Sequence, residues 1–124
     1  MEDKLVKLAI EAKEKAYAPY SKFKVGAAIL ASGRFFIGFN IENASYSLTV
    51  CAERVAGING IINGVRKFEK IAIASSGLNF SYPCGACLQF LGEFAEDMEV
   101  FLINGEAKIK KFTLSQLFPY RFSL

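Results

Sequence analysis

Histidine is missing from the 124-residue sequence, and cysteine is scarce, occurring only as Cys51, Cys84 and Cys87. Without imidazole nitrogens, these three thiols are the whole set of soft metal ligands that the chain offers. An odd number of cysteines also argues against a complete set of intramolecular disulfides, and a reducing compartment argues further against one. We therefore expect the cysteines to be free thiols or metal ligands.

Long apolar runs and strong charge are also lacking. No apolar run approaches the ~18 residues that suggest a membrane span, and the charged opening residues predict a helix rather than a signal peptide. The net charge is only +3, and Lys108, Lys110 and Lys111 lie among apolar residues of a predicted strand. Such a pattern is typical of a solvated face rather than a nucleic-acid site. The sequence predicts a cytoplasmic protein that binds neither membranes nor nucleic acids.

Phenylalanine, by contrast, is abundant. It occurs twelve times, and hydrophobic residues make up 52% of the chain. A chain of this length can bury a core without disulfides, so we predict a single domain spanning 1–124. Because so small a domain cannot hide this much apolar surface within itself, self-association is expected.

Periodicity and turn signals predict alternating helices and strands. Apolar residues at helical spacing predict a helix over 2–16, which ends before Pro19 because the residue preceding a proline avoids helical geometry. The other predicted elements are strands over 23–30 and 34–39, a helix over 50–62, a strand over 70–75, a helix over 84–95, and strands over 100–103 and 107–112.

This order, β-β-α-β-α-β-β after the first helix, predicts an α/β domain with a five-stranded mixed sheet between two helical layers. The first two strands are apolar at nearly every position, so both are expected inside the sheet and covered on both faces. Asn104-Gly105 predicts a hairpin that returns the last strand antiparallel. The segment from Thr113 to Gln116 predicts a capping box that opens a last helical turn.

The cysteines are placed where a metal could be held. Pro83 suits a helix start, and Cys84 and Cys87, three residues apart, share one face of the helix that follows. Cys51 is predicted to open the other central helix, and helix N-termini stabilise thiolates. A structural zinc site normally has four protein ligands, whereas a catalytic one has three and an open position. Three cysteines predict the second kind.

Two charged residues follow Cys51. Glu53 does not share a helix face with Cys51, so it reaches the same cavity only if Cys51 sits at the helix terminus. Arg54 is predicted to compensate the charge, since three thiolates and one zinc ion sum to −1. The alternatives are a cysteine pair packed in the core, a structural zinc site closed by an acidic fourth ligand, a solvated Glu53 and a surface Arg54.

With these residues, the chain resembles the cytidine deaminases of the short, single-domain kind. The pattern of three cysteines, a nearby glutamate and Pro-Cys-x-x-Cys matches the zinc deaminase signature, with cysteine where many members carry histidine. The matching segments are Tyr17-Ala-Pro-Tyr-Ser-Lys-Phe-Lys-Val-Gly-Ala-Ala, Gly38-Phe-Asn-Ile-Glu-Asn-Ala-Ser-Tyr, Cys51-Ala-Glu-Arg and Pro83-Cys-Gly-Ala-Cys-Leu-Gln.

The resemblance implies the three-layer cytidine deaminase-like fold and the hydrolytic deamination of cytidine and 2′-deoxycytidine, a step of pyrimidine salvage. It makes Cys51, Cys84 and Cys87 the ligands of one zinc ion per subunit. Hydroxide generated at zinc is then expected to attack C4 of the base, with Glu53 as the proton shuttle.

The resemblance also implies the substrate contacts. Asn40 and Glu42 match positions that hold ribose hydroxyls, Phe23 matches a residue that packs at the nucleoside site, and the Ala52 N–H would contact the base carbonyl. Such enzymes are typically homotetramers with shared active sites, which would make Phe122 a candidate for the residue lent to a neighbouring subunit.

One position departs from the family pattern, and two other functions stay open. Leu88 stands where the family often has arginine after the second cysteine of the pair, so any charge balance from that arginine must come from elsewhere. The first alternative is a related deaminase acting on a blasticidin-like antibiotic or a base in RNA, although Asn40 and Glu42 favour a free ribose. The second is a zinc-stabilised binding module without catalysis.

Overall fold

The computed structural model describes residues 1–124, which form one mixed sheet between two helical layers. The sheet order is β2-β1-β3-β4-β5, in which β3 and β4 are parallel and all other neighbours antiparallel. The elements are α1 (Glu2–Lys13), β1 (Val25–Ala31), β2 (Arg34–Phe39), a 3-10 turn (Tyr46–Leu48), α2 (Ala52–Ile62), β3 (Lys70–Ser75), α3 (Gly85–Glu93), β4 (Glu99–Ile103), β5 (Ile109–Thr113) and the short α4 (Leu114–Leu117).

Two hydrophobic clusters fill the space between the layers. The smaller one lies under α1, where Leu5 and Ala9 pack against alternate residues of β1, β3 and β4. The larger one lies under α2 and α3 and includes Ile71, Ile73 and Leu91. Alternate strand residues therefore face opposite clusters, as a sheet covered on both sides requires. The predicted three-layer α/β/α fold is confirmed. No helix is both long enough and apolar enough to cross a membrane.

The first helix is shorter than the predicted 2–16. After Lys13 the chain continues in turns in which each N–H bonds the carbonyl three residues back, up to Ala16. The N–H of Tyr17 then bonds the carbonyl of Asn40 at 2.9 Å, which draws the chain out of the helical path and toward the sheet. The helical pattern is thus ended by a tertiary contact before the proline is reached.

The second strand contradicts the expectation that both early strands lie inside the sheet. β1 does so, but β2 is an edge strand, and only Phe36 and Gly38 are buried in it. Gly38 faces the backbone of α2, where a Cβ would lie 2.6 Å from the Ala52 carbonyl oxygen and 2.9 Å from the Ala56 Cα. The missing side chain lets α2 pack directly on the edge strand.

The elements from β4 to α4 form where their turn and cap signals predict them, but their boundaries are shifted. β4 and β5 pair antiparallel as predicted, but a loop over 104–108 joins them in place of a two-residue turn. The Asn104 side chain explains the loop, because its oxygen accepts the N–H groups of Glu106 and Lys108 while its nitrogen donates to the Leu78 carbonyl. The predicted capping box is present, with the Thr113 N–H donating to Gln116 at 2.8 Å.

Candidate active site

Two helices begin at the same end of the molecule, and each begins at a cysteine. Cys51 directly precedes α2 and Cys84 directly precedes α3, both with extended backbone, while Cys87 is buried in the first turn of α3. The three sulfur atoms all lie within 4.8 Å of one another. The structure therefore brings the two helix starts together, as predicted.

The donor set fits a zinc ion. Three sulfurs bound to tetrahedral zinc at ~2.3 Å would stand about 3.8 Å apart, a spacing that a small adjustment of this cluster reaches. No carboxylate oxygen lies close enough to all three sulfurs to belong to the cluster, although the Glu53 carboxyl lies beside Cys87. Three protein ligands with one side open is the arrangement typical of catalytic zinc.

The electrostatics of the cluster call for a cation. A hydrogen bond from Cys87, with the Arg54 guanidinium nearby, lowers the pKa of Cys51 to about 5. The same hydrogen bond, together with burial and the negative groups around it, raises the pKa of Cys87. The cluster therefore stabilises one thiolate, at Cys51, and opposes the formation of a second thiolate at Cys87. A divalent cation would remove this opposition, because metal ligation requires deprotonated sulfur.

Arg54 lies beside the sulfurs on the first turn of α2. Its Nη2 donates to Cys51 Sγ at 3.6 Å, and the thiolate raises the pKa of the guanidinium. Its Nε is buried and has no hydrogen-bond partner. The structure therefore has a cation, Arg54, next to the cluster. Its effect on a bound metal stays a prediction.

Glu53 is a buried acid, with 6% of its surface exposed. Burial, and to a lesser extent the charge of Cys51, raises the pKa of its carboxyl to about 7. Because Cys51 has extended backbone at the helix terminus, Cys51 and Glu53 both line one cavity despite being two residues apart. A carboxyl poised near neutrality can both take and release a proton at neutral pH.

That cavity has a volume of about 230 Å³. Its walls combine apolar and polar side chains from four parts of the chain. The lining residues are Phe23, Val25, Asn40, Thr49, Cys51, Ala52, Glu53, Ser81, Tyr82 and Cys84. A larger cavity of about 360 Å³ lies at the far end of α3, beside the C-terminal segment, and contains none of the cysteines.

Three of the predicted substrate contacts line the cavity. Ala52 is the first residue of α2, so its N–H has no acceptor within the helix. Asn40 is buried, and its amide bridges the Phe23 carbonyl at 2.8 Å and the Val25 N–H at 2.9 Å. The ring of Phe23 lies at the rim, 39% exposed.

The other two predicted contacts lie elsewhere. The carboxylate of Glu42 accepts the N–H groups of Tyr20 and Ser21 at 3.0 and 3.1 Å and the hydroxyl of Ser21. Phe122 is 69% exposed and borders the cavity at the far end of α3, where its carbonyl accepts a hydrogen bond from Gln89. Their substrate roles stay predictions.

Sequence reasoning missed several lining residues, among them Val25, Thr49, Ser81 and Tyr82. Thr49 and Tyr82 each lie two residues before a predicted ligand, and this adjacency is a signal that could have identified them. Val25 carries no such signal, because it resembles any other apolar residue at the start of a strand.

Comparison with known proteins agrees with this geometry. The sequence model described as the cytidine and deoxycytidylate deaminase zinc-binding region matches residues 1–103. The chain belongs to the cytidine and deoxycytidylate deaminase family. The family and the class of enzyme predicted from the motifs are thereby confirmed.

Individual relatives match over nearly the whole chain. A cytidine deaminase of Sporosarcina psychrophila is 44% identical over 123 residues, covering 98% of this chain and 90% of the relative. One of Halalkalibacterium halodurans is 45% identical over 121 residues, covering 96% and 92%. The crystal structure of cytidine deaminase from Burkholderia pseudomallei superposes with a TM-score of 0.93 at 40% identity, covering 98% of this chain and 99% of that one.

Proposed function

We propose that this deaminase converts cytidine and 2′-deoxycytidine to uridine and 2′-deoxyuridine, releasing ammonia. The observation that carries the proposal is a three-sulfur cluster, open on one side, that shares its cavity with a buried carboxyl of raised pKa. The names of the relatives agree with it, since each is a cytidine deaminase.

One zinc ion per chain is proposed at Cys51, Cys84 and Cys87. When bound there, zinc supplies the Lewis acidity that makes water nucleophilic at neutral pH. Thiolate ligands donate more charge than imidazoles, so Arg54 and the two helix N-termini are proposed to limit the negative charge of the site. Leu88 is 9% exposed and packs in the core, so it contributes no charge to this balance.

Glu53 is proposed as the proton shuttle. Its carboxylate takes one proton from the attacking water and delivers it to N3 of the pyrimidine. It then takes the second proton of that water, from the new hydroxyl on C4, and passes it to the departing amine. The carboxyl is suited to this exchange because its pKa of about 7 is close to the working pH. Burial also keeps bulk water away from the transferring protons.

The remaining substrate contacts use hydrogen-bonding capacity that the fold leaves free. The Ala52 N–H is proposed to bind the base carbonyl. Asn40 uses one lone pair and one N–H within the protein, so a second of each can meet a ribose hydroxyl. Glu42 accepts three hydrogen bonds out of about four possible, which leaves one for the sugar. Phe23 packs against the nucleoside at the rim.

A homotetramer with shared active sites is proposed for the working state. Its support is the large apolar side chains that a lone chain leaves in water, including Tyr17, Tyr46, Leu48 and Phe122. Phe122 is proposed to reach the cavity of a neighbouring subunit. A role in pyrimidine salvage in the cytoplasm is also proposed, since reducing conditions there keep the three thiols free for zinc.

The test combines metal analysis with an ultraviolet assay. We expect one zinc per chain and conversion of cytidine and deoxycytidine, with no conversion of cytosine or adenosine. A Cys84→Ala variant serves as the control and should lose zinc and turnover together. Full zinc occupancy with no turnover of any substrate would contradict the proposal and favour a binding module; turnover of another aminated base alone would favour a related deaminase.

A further inference from the structure

The segment over 20–25 delivers Phe23 to the rim of the cavity, and two buried side chains hold it there. These are Asn40 and Glu42, both from the loop that follows β2. Ser21 stands between the carboxylate of Glu42 and the backbone of Phe23. It lies outside the cavity and carries no role in the proposed reaction.

On one side, Ser21 is bound tightly to Glu42. Its hydroxyl donates to Oε2 and its N–H donates to Oε1 at 3.1 Å, while the Tyr20 N–H adds a third hydrogen bond at 3.0 Å. The hydroxyl of Ser21 is the leading cause that lowers the pKa of the Glu42 carboxyl. Glu42 is therefore ionised at neutral pH, and hydrogen bonds to ionised groups are the stronger ones.

On the other side, the same hydroxyl oxygen accepts the Phe23 N–H at 3.0 Å. The residue between them, Lys22, has a φ of +62°, in the left-handed region that side chains other than glycine seldom adopt. Such a turn persists where surrounding bonds hold it. Ser21 forms hydrogen bonds on both sides of this turn, and the Lys22 N–H donates to the Ala18 carbonyl at 3.0 Å.

Phe23 is then held at its other end and by its ring. Its carbonyl accepts from Asn40 Nδ2 at 2.8 Å. Its ring packs against Gly77, where an added Cβ would lie 3.0 Å from the ring. The position of the ring therefore depends on the backbone bonds at residue 23, and the hydroxyl of Ser21 makes one of the two.

We propose that Ser21 is a positioning residue, which acts through Phe23 to set the nucleoside-binding wall of the cavity. The inference rests on the proposed function, since it concerns how the nucleoside is held. Ser21 contacts neither a sulfur atom nor Glu53, so it acts on binding and leaves the chemical step alone.

The test is a double-mutant cycle measured by steady-state kinetics with cytidine. Ser21→Ala is expected to raise KM about five-fold, the effect of losing the one hydrogen bond that the hydroxyl accepts from Phe23, with kcat and zinc content essentially unchanged. Ser21→Thr retains the hydroxyl and should restore KM, since residue 21 is exposed and has room for a methyl group. In a Phe23→Ala background, Ser21→Ala should raise KM much less than it does in the wild type, because the effect through that ring is gone and only the bond to Glu42 is lost.

The controls separate this inference from the function on which it rests. Ser32→Ala, in the turn at the far end of β1, removes an exposed hydroxyl and should leave KM unchanged. Suppose that the wild type is active. If Ser21→Ala then leaves KM unchanged, lowers only kcat, or adds its full effect to that of Phe23→Ala, the inference about Ser21 is overturned while the proposed function stands. A zinc-loaded wild type that converts no cytidine overturns both.

Discussion

Glu53 combines deep burial with a position next to the sulfur cluster. Replacing it by glutamine keeps the shape of the side chain and removes the titratable carboxyl that takes and releases a proton. We expect Glu53→Gln to lower kcat about 10²–10⁴-fold, the usual contribution of acid–base catalysis, while zinc content and thermal stability stay close to the wild type. Ultraviolet kinetics and metal analysis check this.

The matched control is Glu93→Gln, which makes the same chemical change at an exposed position at the C-terminal end of α3. It should leave activity unchanged. Turnover of Glu53→Gln close to the wild-type rate would remove Glu53 from the chemistry.

At the scale of single residues, the sequence predicts which side chains belong to the site better than it predicts their hydrogen-bond partners. The cysteines and Glu53 could be found because cysteine is scarce and both helix starts have recognisable signals. The partners of Glu42 could not be found, because Tyr20 and Ser21 precede it by 22 and 21 residues. Only the folded loop brings these groups together.

Two glycines set how closely the helices approach the sheet, each on a different face. A Cβ at Gly38 would meet the Ala52 and Ala56 backbone of α2, and a Cβ at Gly26 would meet the Ala9 and Lys13 backbone of α1. We expect both Gly38→Ala and Gly26→Ala to lower the free energy of unfolding by about 1–3 kcal/mol or more, as overpacking does.

The two variants should differ in the active site. Only α2 carries Glu53 and follows Cys51, so Gly38→Ala should also weaken zinc binding and lower kcat/KM. Gly26→Ala should leave both close to the wild type in the folded fraction. Denaturant titration gives the stabilities, and competition with a chelator gives the zinc affinity. Equal loss of zinc affinity in both variants would contradict the assignment.

Element types could be predicted because periodicity and caps are local, whereas strand order depends on distant contacts. The apolar run over 34–39 does not reveal that β2 is the edge strand, since α2 hides one of its faces. Likewise, Asn104-Gly105 indicates a turn but not the loop over 104–108, which depends on the Leu78 carbonyl from another loop.

A shared active site can be tested by mixing two defective chains. Phe122→Ala should lose activity about ten-fold or more if its ring completes a neighbour's cavity. Glu53→Gln lacks the shuttle but keeps Phe122. Coexpressed with different tags and purified as mixed oligomers, the pair should regain activity, because a Glu53→Gln subunit can lend its ring to a Phe122→Ala neighbour.

The control is the same pair purified separately and mixed just before the assay. Activity of the mixed oligomer equal to the weighted mean of its parents would show that Phe122 is not shared. A monomer in sedimentation analysis would contradict the tetramer itself.

The three sulfurs meet in space although β3 lies between Cys51 and the other two along the chain. During synthesis on the ribosome, Cys51 emerges before the other two cysteines, and its helix packs mainly on β1 and β2, which precede it. The ion cannot serve as a template for the nascent polypeptide. Zinc supply after synthesis should therefore govern how many molecules become active, and matter far less to how many fold.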